Sequence, residues 1–302
     1  MSKTNILLRI KAVKWCFIAL VFMVLFFQSC YENIEGCLDV NATNFNVMAD
    51  RECEDCCEYP LLRLAIQHVY SDPNIDTFYR FNLDSIYTLD SVDYFALTDL
   101  KYYLSDIKLI RQNGDTIGVI DRLDFTLISG NNITTQETED NFALINRSNI
   151  TPRTLGTIQE NGTFVGIQFK LGLSSFDQKV APEFFESNHP LALGDSSMYD
   201  LEEESYIVTR FDLARDTLSM DNDTTTVLIL AKDFIEIVEL DFDFQVDVGF
   251  NTTIALQVDY RRWFEGIDVK SATPETIINL MKTNIRNTNP SPFEVFDVRV
   301  SN

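Results

Sequence analysis

The chain has 302 residues, with 46 Asp and Glu against 24 Lys and Arg, a formal net charge of −22 and two histidines. A field of that sign repels polyanions, so nucleic acid is excluded as a partner, and cations, basic surfaces or simple solubility are favoured. With no glycine-rich phosphate loop, no nucleophile elbow, no H-E-x-x-H helix and few histidines to act as a base, the sequence is not expected to be an enzyme.

Residues 1–29 read as an export signal. Lys3, Arg9, Lys11 and Lys14 precede an apolar run from Trp15 to Phe27, shorter than the roughly 20 residues that a membrane-spanning helix needs. The segment ends in Phe27-Gln28-Ser29-Cys30, which resembles a bacterial lipobox with Phe where Leu is usual. Cys30 is then the lipidated first residue, and more than one acyl chain there holds a protein to a membrane. The expected location is the envelope of a Gram-negative bacterium, on the periplasmic or surface face of the outer membrane. An uncleaved signal anchor is the alternative. Cleavage removes four cations and no anion, so the acidic excess grows.

Residues 30–60 form the next segment. Cys37, Cys53, Cys56 and Cys57 cluster there, and in an exported chain four cysteines read as two disulfides. Bonding the adjacent Cys56 and Cys57 to each other is strained, which leaves two connectivities; a zinc site is the competing reading. The run from Gly36 through Asn41-Ala42-Thr43-Asn44-Phe45-Asn46 to Cys56-Cys57-Glu58-Tyr59-Pro60 resembles a short secreted cysteine module, with too few apolar residues for a core of its own. Asp39, Asn41, Asn44, Asn46 and Asp50 offer oxygens that suit either calcium or tight turns.

From residue 61 to 302 the pattern is of strands. Leu62 to Tyr70 alternates, placing Leu64, Ile66, His68 and Tyr70 on one face. Further strands are expected at Tyr102–Ile110, Thr163–Leu171, Tyr206–Leu213, Thr225–Ile237, Leu240–Val248 and Thr252–Val258, with turns at Asn113-Gly114-Asp115 and Glu160-Asn161-Gly162. Thr273-Pro274-Glu275 starts a helix of about three turns that Asn287-Thr288-Asn289-Pro290 ends. The expectation is one large domain, mainly β, an antiparallel immunoglobulin-like β-sandwich with one short C-terminal helix.

Within it, Leu100-Lys101-Tyr102-Tyr103-Leu104-Ser105-Asp106-Ile107-Lys108-Leu109 resembles the L-K-Y-Y-L-S-N-I-x-L signature of the MbnP-like family, exported copper-associated proteins of the methanobactin-operon type. Other family segments follow in order: Leu64-Ala65-Ile66-Gln67-His68, Gly162 to Leu173, Ser197-Met198-Tyr199 with Ser205-Tyr206-Ile207, Ala255 to Asp259, and Asn287 with Phe293 or Phe296. The resemblance covers residues 61 to 298. It implies a copper site built from histidine and an oxidised tryptophan, the oxidation being carried out by a dihaem peroxidase-like partner. The family's two tryptophans fall at Asp200 and Glu202, and a further family histidine falls at Thr126. Carboxylates cannot be oxidised in that way, so this chain is not expected to be that partner's substrate.

His68 is what remains of the implied site, and neutral imidazole is a common copper ligand. A hydrogen-bonded core histidine would leave the same pattern. His189, in Ser187-Asn188-His189-Pro190, reads as a loop residue able to swing toward the site or as a surface turn residue. Asp200, Glu202, Glu203 and Glu204 offer oxygens to a hard cation such as calcium, or form a solvated turn before a strand. Asp221-Asn222-Asp223 is open to the same two readings, while Asp241, Asp243 and Asp247 read as the wet face of a strand with Phe242 and Phe244 inside. Trp263 does not match the family's modified tryptophan and reads as a core or edge residue. Two functions are carried forward: a metal- or ligand-binding envelope protein with the tryptophan-derived site lost, and a structural or protein-interaction module with an envelope protein partner.

Overall fold

The computed structural model describes residues 32–75, 77–90, 93–129, 132–147, 151–174, 179–194, 196–215, 224–286 and 290–301. The signal segment, Cys30, Asp221-Asn222-Asp223 and Asn287 lie outside the described residues. Contacts divide the chain into a small unit, residues up to Leu38 with Asn46–Cys56, and a large one, Asp39–Phe45 with Cys57 onward.

In the small unit, two-residue strands β1 (Glu35–Gly36) and β2 (Arg51–Glu52) pair in parallel. Cys53 is bonded to Cys56. Cys37 and Cys57, the latter in the large unit, are also disulfide-bonded. No thiolate is left among these four for zinc. The oxygens considered for calcium instead hold turns: Asp50 accepts from Ile34 N and Asn46 from Met48 N. In the large unit Asp39 accepts from Asn41 N and Tyr59 Oη, and Asn44 accepts from Glu58 N.

The large unit contains β3 (Leu61–Ser71), β4 (Phe78–Arg80), β5 (Tyr87–Thr88), β6 (Tyr94–Ile110), β7 (Thr116–Ile117), β8 (Arg122–Ser129), β9 (Asn132–Glu139), β10 (Phe142–Asn146), β11 (Arg153–Thr157) and β12 (Gly162–Leu171). After them come β13 (Tyr199–Asp200), β14 (Ser205–Ala214), β15 (Thr224–Leu230), β16 (Glu236–Val246), β17 (Asn251–Asp259) and β18 (Phe293–Ser301). A nine-stranded sheet runs β13-β14-β6-β12-β16, with β5, β7, β10 and β15 attached. A five-stranded sheet runs β11-β3-β17-β18, with β4 on β3, and β8-β9 is a separate hairpin.

Two features depart from the expected architecture. β3 and β17 pair in parallel, so the five-stranded sheet is mixed rather than antiparallel. A parallel pair needs a long crossover, and here the nine-stranded sheet lies between the two strands in sequence. Second, there are two α-helices among the described residues: Tyr260–Trp263 directly after β17, and the expected Pro274–Arg286, whose Thr273 Oγ1 accepts from Thr276 N. The short one carries Asp259 as its cap, accepting from Arg261 N.

β6 is the spine of the larger sheet, pairing with β5, β7, β10, β12 and β14. Consecutive residues Tyr102 to Ser105 are all buried, so both of its faces are covered. Tyr102 meets Trp263 and Tyr260 on one side, while Tyr103 on the other meets Tyr206 and donates to Pro190 O. Residues of both sheets and both helices share one apolar core, in which Phe169 of β12 touches Phe293 of β18. Trp263 is wholly buried there; a tryptophan of about 200 Å² contributes roughly 5 kcal/mol of gross burial. In β16 the expected alternation holds, Asp241 and Asp243 outward with Phe244 buried.

Candidate functional site

β3 brings His68 to the most unusual polar position in the core. On the open edge of β3, β11 pairs with Leu61–Leu64 and β4 with Val69–Ser71. Between these lengths lies a stretch that has β17 on one side and no strand pairing on the other among the described residues. A cavity of about 530 Å³ enters beside it, lined by His68, Gln67, Arg80, Arg147, Gln257 and a rim that includes Phe78 and Phe296.

His68 is 5% exposed and turned inward with its even-numbered neighbours. Its Nδ1 is 2.6 Å from Tyr260 Oη, which is 3.1 Å from Tyr102 Oη. Nε2 is buried with no hydrogen-bond partner. These contacts allow two arrangements. If Tyr102 donates to Tyr260 and Tyr260 donates to Nδ1, the ring proton sits on Nε2, which lacks an acceptor. With the order reversed, the ring proton sits on Nδ1 and the buried Tyr102 hydroxyl hydrogen lacks one. Either way one buried donor goes unpaired, at about 1–3 kcal/mol.

Burial, with the charges of Arg147 and Arg80 added, holds the His68 pKa down to about 3, so the ring is neutral at physiological pH. Arg147 Nε donates to Phe81 O, and its Nη2 donates to Phe81 O and Asn82 Oδ1. Burial first, and then the charge of Arg80, lowers the Arg147 pKa. Neither arginine has a carboxylate at ion-pair distance among the described residues, although the chain as a whole is strongly acidic.

The other candidates lie elsewhere. His189 lines a second cavity of about 620 Å³ with Thr126, Asp124, Asp140 and Phe185. Its Nε2 is 3.0 Å from Asp140 Oδ1, its Nδ1 accepts from Leu191 N, and its ring stacks on Phe185 at 4.3 Å. Both nitrogens are engaged, so His189 is a packed residue rather than a free loop imidazole able to reach His68. The acidic stretch is a turn between β13 and β14: Asp200 Oδ1 accepts from Glu202 N and Glu203 N, Glu204 takes a left-handed φ of 47°, and Glu203 pairs with Lys232. Asp200 and Glu202 line neither cavity. Among the described residues no three His, Cys, Asp or Glu side chains are grouped to hold a metal ion.

Copper asks for lone pairs on nitrogen or sulfur, and the donors around His68 do not fit it. His68 has no grouped set of further ligands among the described residues, and the charges that act on its ring are those of two cations, Arg147 and Arg80. Sequence reasoning found His68 but missed Arg80, Arg147 and Tyr260, which come from three distant segments. The available signal was Arg147 just after the apolar run Phe142–Ile145, where a cation after a buried run asks for a partner.

Fold and site together define a mainly β protein with two sheets on one core and a cavity opening at a gap in the edge of the smaller sheet. A family model described as MbnP matches residues 60–281, and the chain belongs to this copper-associated family of exported proteins. Among solved structures it is similar to MbnP from Methylosinus trichosporium, with 14% identity over 70% of this chain and 78% of that one and a TM-score of 0.39. No curated protein sequence matches.

Proposed function

We propose that this chain is a lipid-anchored binding protein of the Gram-negative envelope, tethered through Cys30, in which the family's copper site has been replaced by a cavity for another ligand. It acts by binding rather than catalysis, alongside an envelope protein partner. The observation that carries this reading is that His68 belongs to no group of three metal-binding side chains among the described residues and lies in the positive field of Arg147 and Arg80, a setting that disfavours a cation. The carboxylates at the family's tryptophan positions support it, because Asp200 is occupied in capping its own turn.

The test is a copper titration of the whole chain in detergent micelles, read by native mass spectrometry under reducing and oxidising conditions, with His68→Ala beside it. The expected result is no retained copper, or equal uptake by both proteins. One copper ion held by the wild type and lost in the variant would overturn the reading. Tethering is checked separately: Cys30→Ser should move the protein out of the membrane fraction, and a variant that stays there would remove the anchor.

A further inference from the structure

The cavity of about 620 Å³ beside His189 has walls of two kinds. One is aromatic: Phe125 and Phe142 are buried, Phe185 is half-buried, and Phe184 is 54% exposed. Phe125 packs on Phe142 at 5.8 Å and on Phe185 at 5.2 Å, so this wall is braced from behind. The other is acidic, with Asp121, Asp124, Asp140 and Glu186 lining the space and no lysine or arginine among its lining residues. None of the four has a lysine or arginine at ion-pair distance among the described residues.

His189 does not cancel that charge. Leu191 N can only donate, so Nδ1 holds a lone pair and the single ring proton sits on Nε2, 3.0 Å from Asp140 Oδ1. The imidazole is then neutral, and the Asp140 carboxylate, its side chain 34% exposed, keeps its full charge toward the cavity. A carboxylate beside an apolar wall attracts a cation more strongly than one surrounded by water.

A metal ion does not suit this place. Among the described residues no three His, Cys, Asp or Glu side chains are grouped to hold one. Asp121 is engaged by Thr157 N and Oγ1. A metal would also leave the phenylalanines without a contact. An organic ammonium uses both walls, its N–H groups donating to carboxylate and its body lying on aromatic rings, whose faces also attract positive charge.

We propose that this cavity binds a small organic ammonium with an aromatic or branched apolar body, its nitrogen at Asp140 in the field of the exposed Asp124 and Glu186, and its body against Phe184 and Phe185. Thr126, where the family's histidine falls, lines the same cavity. The proposal rests on the reading that this chain works by binding a small ligand, and gives that ligand a chemical class.

Benzylammonium is the probe, with benzyl alcohol as its neutral counterpart, benzoate as the anion and methylammonium as the cation without a body. Binding to the whole chain at neutral pH is measured by calorimetry against a detergent blank and by NMR of the two histidine rings. Benzylammonium should bind and move the His189 signals while those of His68, in the other cavity, stay in place. The three comparison compounds should each bind at least about tenfold more weakly. Asp140→Asn keeps an oxygen for His189 Nε2–H and removes the charge, and Asp124→Asn does the same at an exposed position outside the core. Each should weaken benzylammonium about fivefold or more and leave benzyl alcohol unchanged. Phe184→Ala should weaken benzylammonium several-fold without affecting methylammonium. Absence of benzylammonium binding, equal binding of benzyl alcohol, insensitivity to both carboxylate variants, or movement of the His68 signals alone would overturn the proposal. Failure of benzylammonium with no copper retained at His68 overturns this proposal alone, whereas copper retained at His68 overturns the replaced-site reading whatever the amine does.

Discussion

Tyr260→Phe isolates the hydrogen-bond chain at His68. The substitution keeps the ring, and so preserves its contacts with Phe81 at 4.8 Å and Trp263 at 5.2 Å. It removes one oxygen that serves two fully buried groups, His68 Nδ1 and Tyr102 Oη. Each is left without a partner at about 1–3 kcal/mol, so the expected loss is about 2–6 kcal/mol. Tyr102→Phe is the control. It removes the outer member alone; with Tyr260 donating to Nδ1, only an oxygen lone pair goes unpaired and the loss is about 1 kcal/mol. Urea unfolding of both variants, with unchanged m-values, gives the comparison. Equal losses, or a larger loss for Tyr102→Phe, would mean that the donor order is reversed and that Nε2 carries a lone pair.

Three further outcomes follow from the geometry. His68 has a folded pKa of about 3 against about 6.5 unfolded, so the unfolded state binds the proton first and stability falls as pH drops from 6.5 toward 3, by up to about 1.4 kcal/mol per pH unit. His68→Gln should flatten that slope in pH-dependent urea titrations; an unchanged slope would assign it to other groups. Gly166 has no room for a side chain, a Cβ there lying 2.5 Å from Leu240 O where β12 and β16 shift register, so Gly166→Ala should cost about 1–3 kcal/mol, measurable as a lower Tm, and a neutral result would show that the bulge can relax. Asp200→Ala removes the acceptor for two N–H groups and should cost about 1 kcal/mol, with added Ca²⁺ leaving the Tm of the wild type unchanged; a Ca²⁺-dependent rise would return the turn to the list of cation sites.

The strands legible in the sequence were those with strong alternation or a long apolar run. β3, β12, β14 and β17 match their expected spans within two residues, and Leu64, Ile66 and His68 fall on the inner face as expected. The β15–β16 region was read as one strand, Thr225–Ile237, because its apolar content is continuous; a 3-10 turn at Ala231–Asp233 breaks it. The hairpin β8–β9 was missed because Asn132–Glu139 is almost wholly polar and offers no apolar period. Parallel pairing of β3 with β17 was not legible, since alternation along a strand says nothing of its neighbour's direction. For the site, the sequence supplied His68 but not Tyr260, which lies 192 residues further on and belongs to a four-residue helix too short to show a helical period.

That distant tyrosine explains how one histidine can persist while its chemistry changes. An imidazole has two nitrogens and, when neutral, one proton, so whatever engages the first decides whether the second offers a lone pair or an N–H. Here Nδ1 is engaged by Tyr260, whose hydroxyl in turn meets Tyr102, and Tyr102 lies in the family's L-K-Y-Y-L-S segment on β6. Arg147 follows β10, the strand that pairs with that same segment: Leu144 faces Tyr103 and Ile145 faces Tyr102. The spine strand thus carries the outer member of the tyrosine pair and also pairs with the strand that precedes Arg147. A change at Thr126, Asp200 or Glu202 that restored the family's residues would leave these two determinants untouched. Recovering a metal site at His68 would also require changing the tyrosine chain and the arginines beside it.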